Sequence, residues 1–344
     1  MAFSPDPIQK AVPAVIDWFG KNKRDLPWRR EPTAYHIWIS EIMLQQTRIE
    51  AVIPYYFRFL EALPTVRDLA QVPDDVLMKL WQGLGYYSRA RNLKKAAAVI
   101  TDEYGGELPQ TAAELKKLPG IGDYTAGAIA SLAYGCPEPA VDGNVMRVCM
   151  RLTGCDDDVM QPSAKQAVTA ALKAVYPSGN DAALLTQGLM ELGEVVCIPN
   201  GTPLCLNCPL REICVACREG RAGELPVRSA KKSRRIEEKT VFLLQCGDKY
   251  ALSKRPPVGL LADLWELPSV PGHLTPGEAA AFADFALVEP MGAAKHIFTH
   301  IEWHMVGYRV TLPEQTRGYV WAAKEEILEQ YAVPTAFKYY IAKL

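Results

Sequence analysis

Nowhere does this chain carry an apolar run approaching the roughly 20 residues that a bilayer-spanning helix needs, which excludes a transmembrane helix. An export signal is also missing. Met1-Ala2-Phe3-Ser4-Pro5-Asp6-Pro7 has neither a basic start nor an apolar core, so a cytoplasmic location is expected. Excess charge is missing too: 38 Lys and Arg stand against 39 Asp and Glu, a formal net charge of −1. Any surface for a polyanion must therefore be a local patch. Cysteine is sparse except in one place, where five of the nine crowd between Cys197 and Cys217. In a reducing compartment such crowding points to metal rather than disulfides. Apolar residues make up 49% of the chain, an ordinary share for a globular protein. The 344 residues exceed what one core usually holds, so two or three domains are expected.

The most informative stretch is Leu118-Pro119-Gly120-Ile121-Gly122-Asp123-Tyr124-Thr125. Pro119 cannot continue a preceding helix and restricts Leu118 to extended backbone. Gly120 and Gly122 are expected at positive φ or at close backbone approach. The run Thr125 to Ser131 is small and helix-competent. The product is a helix–hairpin–helix whose turn offers backbone N–H groups beside a helix N-terminus, an arrangement that binds one phosphate. The alternative is an αα-hairpin that only packs. Further on, Val141-Asp142-Gly143-Asn144-Val145-Met146-Arg147 sets an Asp among apolar residues. A hairpin followed by V-D-x-N-V-x-R resembles the endonuclease III superfamily of DNA base-excision glycosylases. The resemblance implies that Gly120, Gly122 and Thr125 clamp the DNA backbone. It also implies that Asp142 is the catalytic carboxylate facing the sugar of an extruded nucleotide.

Residues 8 to 19 repeat with helical period, and Ile37 to Glu50 reads as a second helix. Glu41 shares a mostly apolar face with Ile37, Trp38, Leu44 and Gln45. It is either a paired carboxylate at the core margin or an acid held protonated in a pocket, with the raised pKa that a general acid needs. Ser40-Glu41-Ile42-Met43-Leu44-Gln45-Gln46-Thr47, together with Leu26-Pro27-Trp28-Arg29, is similar to the MutY-type adenine DNA glycosylase branch of that superfamily. The likeness implies that Glu41 protonates adenine N7 and that Trp28, Arg29 and Gln187 line the adenine pocket. It implies that Gln46 and Thr47 contact the duplex near the extruded base, with Asn144 and Tyr124 positioning water and carboxylate. Read alone, Trp28 also fits a solvated loop packed on the core. Pro54 is expected to end one helix, with another from Tyr55 to Leu63.

The run from Leu80 to Leu93 sets Tyr86 and Tyr87 after Gly83 and Gly85, with Arg89 and Arg91 following. An exposed Tyr on such a turn is a stacking wedge, and the two Arg could meet phosphates; the alternative is two tyrosines in the core. By resemblance, Tyr86 wedges beside the damaged base of the opposite strand. Superfamily members that also cut the strand carry a Lys where Tyr124 stands. A tyrosine is a poor Schiff-base nucleophile, so a monofunctional glycosylase is expected.

Two cysteine sets compete. Cys205, Cys208, Cys214 and Cys217, C-x2-C-x5-C-x2-C, would suit tetrahedral zinc. Cys197, Cys205, Cys208 and Cys214 resemble the family's [4Fe-4S] loop, with a first interval one residue longer than the family's C-x6-C. The Asn200-Gly201 turn could absorb the extra residue. By the same likeness Arg211 falls near the DNA backbone.

Residues 218 to 239 read as a linker with a basic run from Arg228 to Arg235. Strands are expected at 240–245, 250–253 and 308–312, and helices at 276–285 and 324–330. Gly259 to Pro268 looks like the start of a Nudix pattern, but Gly277-Glu278-Ala279-Ala280-Ala281 holds one carboxylate where a metal-binding acidic helix would stand. Pyrophosphatase activity is therefore not expected. Phe298-Thr299-His300 matches a family loop that reads 8-oxoguanine, with Thr in place of Ser. His296, His300 and His304 invite a metal reading, yet their neighbours favour strand or loop.

The expected fold is a mainly α N-terminal part, a helix-hairpin-helix glycosylase fold with an iron–sulfur loop, plus a C-terminal α+β Nudix-like domain. Residues 1–28 with 132–217 would form the cluster domain, 29–131 the six-helix domain, 218–239 the linker and 240–344 the lesion-recognition domain. The function the resemblance implies is excision of adenine opposite 8-oxoguanine, or guanine, from double-stranded DNA by a monomer. The rivals are a non-catalytic Fe–S protein that binds DNA or senses redox state, and a glycosylase for oxidised pyrimidines.

Overall fold

The computed structural model describes residues 4–230, 233–282 and 287–344. The chain divides into two compact units, residues 1–71 with 92–230 and residues 72–91 with 231–344. Among the described residues no helix is long and apolar enough to cross a membrane.

The first unit is helical. Helix Asp6–Asn22 and helix Gly143–Thr153 both pack on helix Asn180–Val195, and helix Ala34–Leu44 packs on Asp123–Tyr134. The core shared by helices Asp6–Asn22, Gly143–Thr153 and Asn180–Val195 includes Ile8, Val15, Val145, Val148, Leu185 and Leu189. Close approach depends on Gly193: a Cβ there would lie 2.7 Å from Asn144 Cβ, so any side chain would push the start of helix Gly143–Thr153 away.

The segment around Glu41 departs from the sequence reading. Thr33 caps the helix by accepting from His36 N at 3.1 Å. The helix ends at Leu44 rather than running to Glu50, because Gln46 takes a left-handed backbone with φ 59°. The chain restarts as helix Ile49–Ala62 with Pro54 inside it. Pro54 therefore ends nothing: the break falls earlier, and Pro costs the helix only a local bond. In the hairpin, Gly120 is left-handed at φ 78°, and a Cβ there would meet Asn92 Cβ at 2.6 Å. Gly122 is not left-handed: φ −92° and ψ −176° make it an extended N-cap for helix Asp123–Tyr134. Its role is to leave that helix start bare.

The second unit is built on a mixed sheet. Its strands are β1 (Arg235–Cys246), β2 (Lys249–Lys254), β3 (Trp265–Glu266), β4 (Ser269–Pro271), β5 (Leu287–Ile297), β6 (Ile301–Thr311) and β7 (Val320–Ala323). Their order is β3-β2-β1-β6-β5, with β4 also on β1 and β7 on β2. β1 and β6 run parallel; the other pairs are antiparallel. Alternation sends Val241 and Leu243 to a core with Trp303 and Tyr340. Phe242 and Leu244 face the opposite core with Tyr308 and Val310. β1 starts at Arg235, so the last residues assigned to the linker are strand. Helix Pro276–Phe282 ends the described part of the expected 276–285 helix. Glu278, the lone carboxylate there, accepts from Thr275 N at 2.8 Å as a structural cap.

Residues 72–91 pack with this sheet unit. Lys79 Nζ donates to the carbonyls of Leu328 and Tyr331, and Gln82 Nε2 to that of Val333.

Candidate active site

A cavity of about 390 Å³ opens in the helical unit, lined among others by Arg24, Trp28, Arg29, Glu41 and Gln187. Each side chain arrives from a different local cause. Trp28 sits on the short helix Pro27–Arg30, started by Pro27, and packs edge-on against Tyr56 at 5.5 Å. It is thus both a core residue and a wall. Gln187 projects from helix Asn180–Val195. Glu41 comes from a helix buried on every side, with Tyr35 and residues 37–43 all buried.

Glu41 is 6% exposed, and Tyr124 donates its hydroxyl to Glu41 Oε2 at 2.6 Å. Burial pushes the carboxyl up to about 7; the Tyr124 bond opposes this, the charge of Asp142 adds to it, and Arg29 opposes it. Tyr124 is held well above its usual pKa, first by burial and then by the charges of Glu41 and Asp142. It therefore remains a neutral donor within the field of both acids.

Asp142 is the N-cap of helix Gly143–Thr153. Its Oδ1 accepts from Val145 N at 2.8 Å and its Oδ2 from Asn144 Nδ2 at 2.9 Å. Burial raises its pKa against these hydrogen bonds. Asn144 Oδ1 in turn accepts from Arg147 Nη2 at 2.8 Å. Arg147 also donates to the carbonyls of Gly193 and Cys197, at 2.7 and 2.8 Å. One guanidinium thus ties the carboxylate's orienting amide to the start of the cysteine loop.

Glu191 and Arg24 escaped the sequence reading. Glu191 is 1% exposed and accepts from Arg24 Nε at 2.7 Å and Arg29 Nη2 at 2.8 Å. Burial works against its charge, but the two guanidinium groups overcome that and hold it at about 2. Its distance of four residues from Gln187, one turn along the same helix face, was the available signal. Arg29 Nε is buried with no hydrogen-bond partner among the described residues.

Other expected site residues lie apart from this cavity. Gln46 and Thr47 form the turn after helix Ala34–Leu44, with Gln46 exposed. Thr125 is 2% exposed, and its hydroxyl accepts from Gln45 Nε2 at 3.4 Å. Its side chain is therefore packing, and only backbone at this turn is left to face a phosphate. Lys116 pairs with Asp123 at 3.1 Å, at the mouth of the same turn.

In the sheet unit, Tyr86 has φ 46° and is 45% exposed, whereas Tyr87 is buried. Tyr86 OH lies 2.6 Å from Thr299 Oγ1. Thr299 and His300 are exposed in the β5–β6 turn, and Phe298 packs edge-on against Trp303 at 4.9 Å. Arg89 and Arg91 do not present themselves to phosphates as the sequence suggested. Arg89 is 8% exposed and its Nη2 bonds to the carbonyls of Leu84 and Gly85; Arg91 bonds to that of Ala262. Both hold turns together. His296 and His304 lie in paired strands opposite Trp303 and Lys295, as the strand reading expects.

Cys197, Cys205, Cys208, Cys214 and Cys217 line one cavity together with Arg151 and Arg211. Arg151 Nη1 donates to Cys197 Sγ at 3.3 Å, which suits an anionic thiolate group. The longer first interval is absorbed by a loop closed by Leu204 N to Val196 O at 2.9 Å, with Gly201 left-handed at φ 77°. Among the described residues no three His, Cys, Asp or Glu side chains form a single-ion site. Five thiols in one cavity lining beside Arg151 and Arg211 are a donor set that suits an iron–sulfur cluster.

A glycine hairpin, a buried Glu41 near a half-buried Asp142 and a thiol-lined loop are the marks of the class of base-excision DNA repair glycosylases. Residues 39–177 match the family described as HhH-GPD superfamily base excision DNA repair protein, and residues 240–343 match a NUDIX domain. The helical part is similar to a solved non-covalent endonuclease III–DNA complex, with TM-score 0.54 and 27% identity, over 64% of this chain and 99% of that one. Adenine DNA glycosylase of Homo sapiens is 32% identical over 94% of this chain and 72% of its own length. The Arabidopsis thaliana adenine DNA glycosylase is 38% identical over 78% of this chain and 48% of its own. The chain belongs to the adenine DNA glycosylase family.

Proposed function

We propose that this protein hydrolyses the N-glycosidic bond of adenine mispaired with 8-oxoguanine in duplex DNA, and of adenine opposite guanine as a second substrate. The carrying observation is the Tyr124–Glu41 hydrogen bond of 2.6 Å, with Glu41 in the lining of the cavity and the charge of Asp142 raising its carboxyl. A stacked base hides both its N7 and its C1′, so the adenine is extruded first. Trp28, Arg29 and Gln187 form the walls that receive it. Glu41, whose carboxyl is raised to about 7, keeps a substantial protonated fraction at neutral pH and donates that proton to N7. As the C1′–N9 bond breaks, positive charge grows on the sugar. Asp142, oriented by Val145 N and Asn144, stabilises it electrostatically or as a transient covalent partner. Water then completes hydrolysis at C1′. Tyr124 stands where a strand-cutting relative carries Lys, so no Schiff base forms and the abasic strand stays intact.

The hairpin turn at Gly120 and Gly122 holds a phosphate, and Gln46 and Thr47 meet the duplex beside the extruded base. Tyr86, Phe298, Thr299 and His300 read the opposite lesion; the pairing of the Tyr86 and Thr299 hydroxyls supports their acting as one reader. Cys197, Cys205, Cys208 and Cys214 hold a [4Fe-4S] cluster. When bound, it supplies a compact anionic anchor for the loop that carries Arg211.

Duplexes with adenine opposite each of the four bases and 8-oxoguanine, incubated with and without alkali, test this reading. Strand breaks should appear only after alkali, fastest opposite 8-oxoguanine and then guanine. Breaks without alkali, or equal release opposite all partners, would overturn it.

A further inference from the structure

Four thiolates suffice for the cluster, yet five line the cavity. Cys205, Cys208 and Cys214 are common to both possible ligand sets. Cys197 and Cys217 approach the same cavity from opposite ends of the loop. Cys197 leaves the end of helix Asn180–Val195, with its N–H on Leu192 O at 2.7 Å. Its sulfur takes Arg151 at 3.3 Å, and its carbonyl takes Arg147 at 2.8 Å. Cys217 sits on the short helix Val215–Arg218 and lines the same cavity as Cys205, Cys208 and Cys214. It is partly exposed and has no part in the glycosylase chemistry.

We propose that Cys217 is a reserve ligand of the cluster, occupying the fourth corner when Cys197 is lost or displaced. This rests on the cluster reading above. The exchange is redox-neutral. The Cys217 thiol gives its proton to solvent and forms the S–Fe bond, while the S–Fe bond of Cys197 breaks and its thiolate takes up a proton. Cys197 is the resident ligand because its sulfur already has a guanidinium partner, and Cys217 lines the same cavity. Cys214 is the N-cap of the helix that carries Cys217, so the spare thiol is at hand without a long loop to order.

Full-length protein, C197S, C217S and C197S/C217S, each purified anaerobically, test the exchange by iron and sulfide per chain, visible absorption and alkylation mapping. Wild type and C217S should hold about four irons. C197S should also hold about four, with an altered spectrum, and the double variant should hold less than about one. Iodoacetamide should modify Cys217 in wild type and spare it in C197S. If C197S is as iron-poor or as insoluble as the double variant, or if its Cys217 alkylates as in wild type, Cys217 is not a ligand in reserve. Wild-type protein with stoichiometric zinc or no iron would instead overturn the cluster reading, and the inference with it.

Discussion

Tyr124 and Glu41, 83 residues apart in the chain, meet through a 2.6 Å hydrogen bond in which the phenol donates and the carboxyl accepts. The pairing sets the acid's proton affinity between two opposing effects. Burial drives Glu41 up, and the donated bond draws it back toward ionisation.

Removing the phenol should therefore raise the acid further. In Tyr124→Phe the alkaline fall of single-turnover base release should move to higher pH, because Glu41 must be protonated to act. A fall that stays in place or moves to lower pH would show that the bond does not tune this carboxyl.

Glu41 also costs stability. Below its unfolded pKa of 4.5 the group is protonated in both states and contributes nothing. From there to about 7 the unfolded chain loses the proton first, so folding is penalised as pH rises, by ~3 kcal/mol in full. Glu41→Gln should thus melt higher than wild type at pH 8 and alike at pH 4. Equal melting temperatures at both pH values would contradict the raised pKa.

Base release should fall by ~10²–10⁴-fold in Glu41→Gln, the range general acids supply. Asp142→Asn should lose at least as much while keeping its fold, since an Asn oxygen still accepts from Val145 N. Both should retain duplex affinity in gel-shift titrations. Near-wild-type turnover in both variants would remove the two-acid mechanism.

Glu191 anchors Arg24 and Arg29. Glu191→Ala leaves Arg29 without its carboxylate, while Arg24 keeps Glu194 at 2.7 Å, and urea unfolding should show a loss of ~3 kcal/mol. A loss below about 1 kcal/mol would mean that water replaces the carboxylate there. With the folded pKa near 2 against 4.5 unfolded, the wild-type contribution is complete above 4.5 and fades as pH falls toward 2.

Thr299 faces Tyr86 through its hydroxyl. Thr299→Val keeps the shape and removes the hydrogen bond, so preference for 8-oxoguanine over guanine should shrink by up to about tenfold, one hydrogen bond's worth. Release opposite guanine should stay unchanged. An unaltered preference ratio would exclude the hydroxyl from lesion reading.

Much of the candidate site could be read before any coordinates. Glu41 on an apolar helix, Asp142 before Asn144 and Arg147, and Gly120 in the hairpin are short-range patterns. The physical cause lies within a few residues: periodicity, a capping carboxylate, a backbone only Gly enters easily. The failures have equally local reasons. Gln46 turns left-handed without a Gly to announce it, which hid the end of the helix. Gly122 resembles Gly120 in sequence, yet caps the helix in extended backbone. Arg89 looked like a phosphate ligand because charge is visible in sequence, whereas the Leu84 and Gly85 carbonyls it binds are features of a folded turn.

The linear order of residues thus settled which chemical groups this protein owns and which secondary elements carry them, because propensity, capping and periodicity act between near neighbours. Folding in three dimensions settled which groups share a solvent-poor space. Glu191 finds Arg24 across 167 positions, Tyr124 reaches Glu41, and Gly193 lets Asn144 come close enough for Arg147 to bind both. Desolvation and charge coupling arise only from that assembly, and they lift the carboxyl of an otherwise ordinary glutamate to about 7.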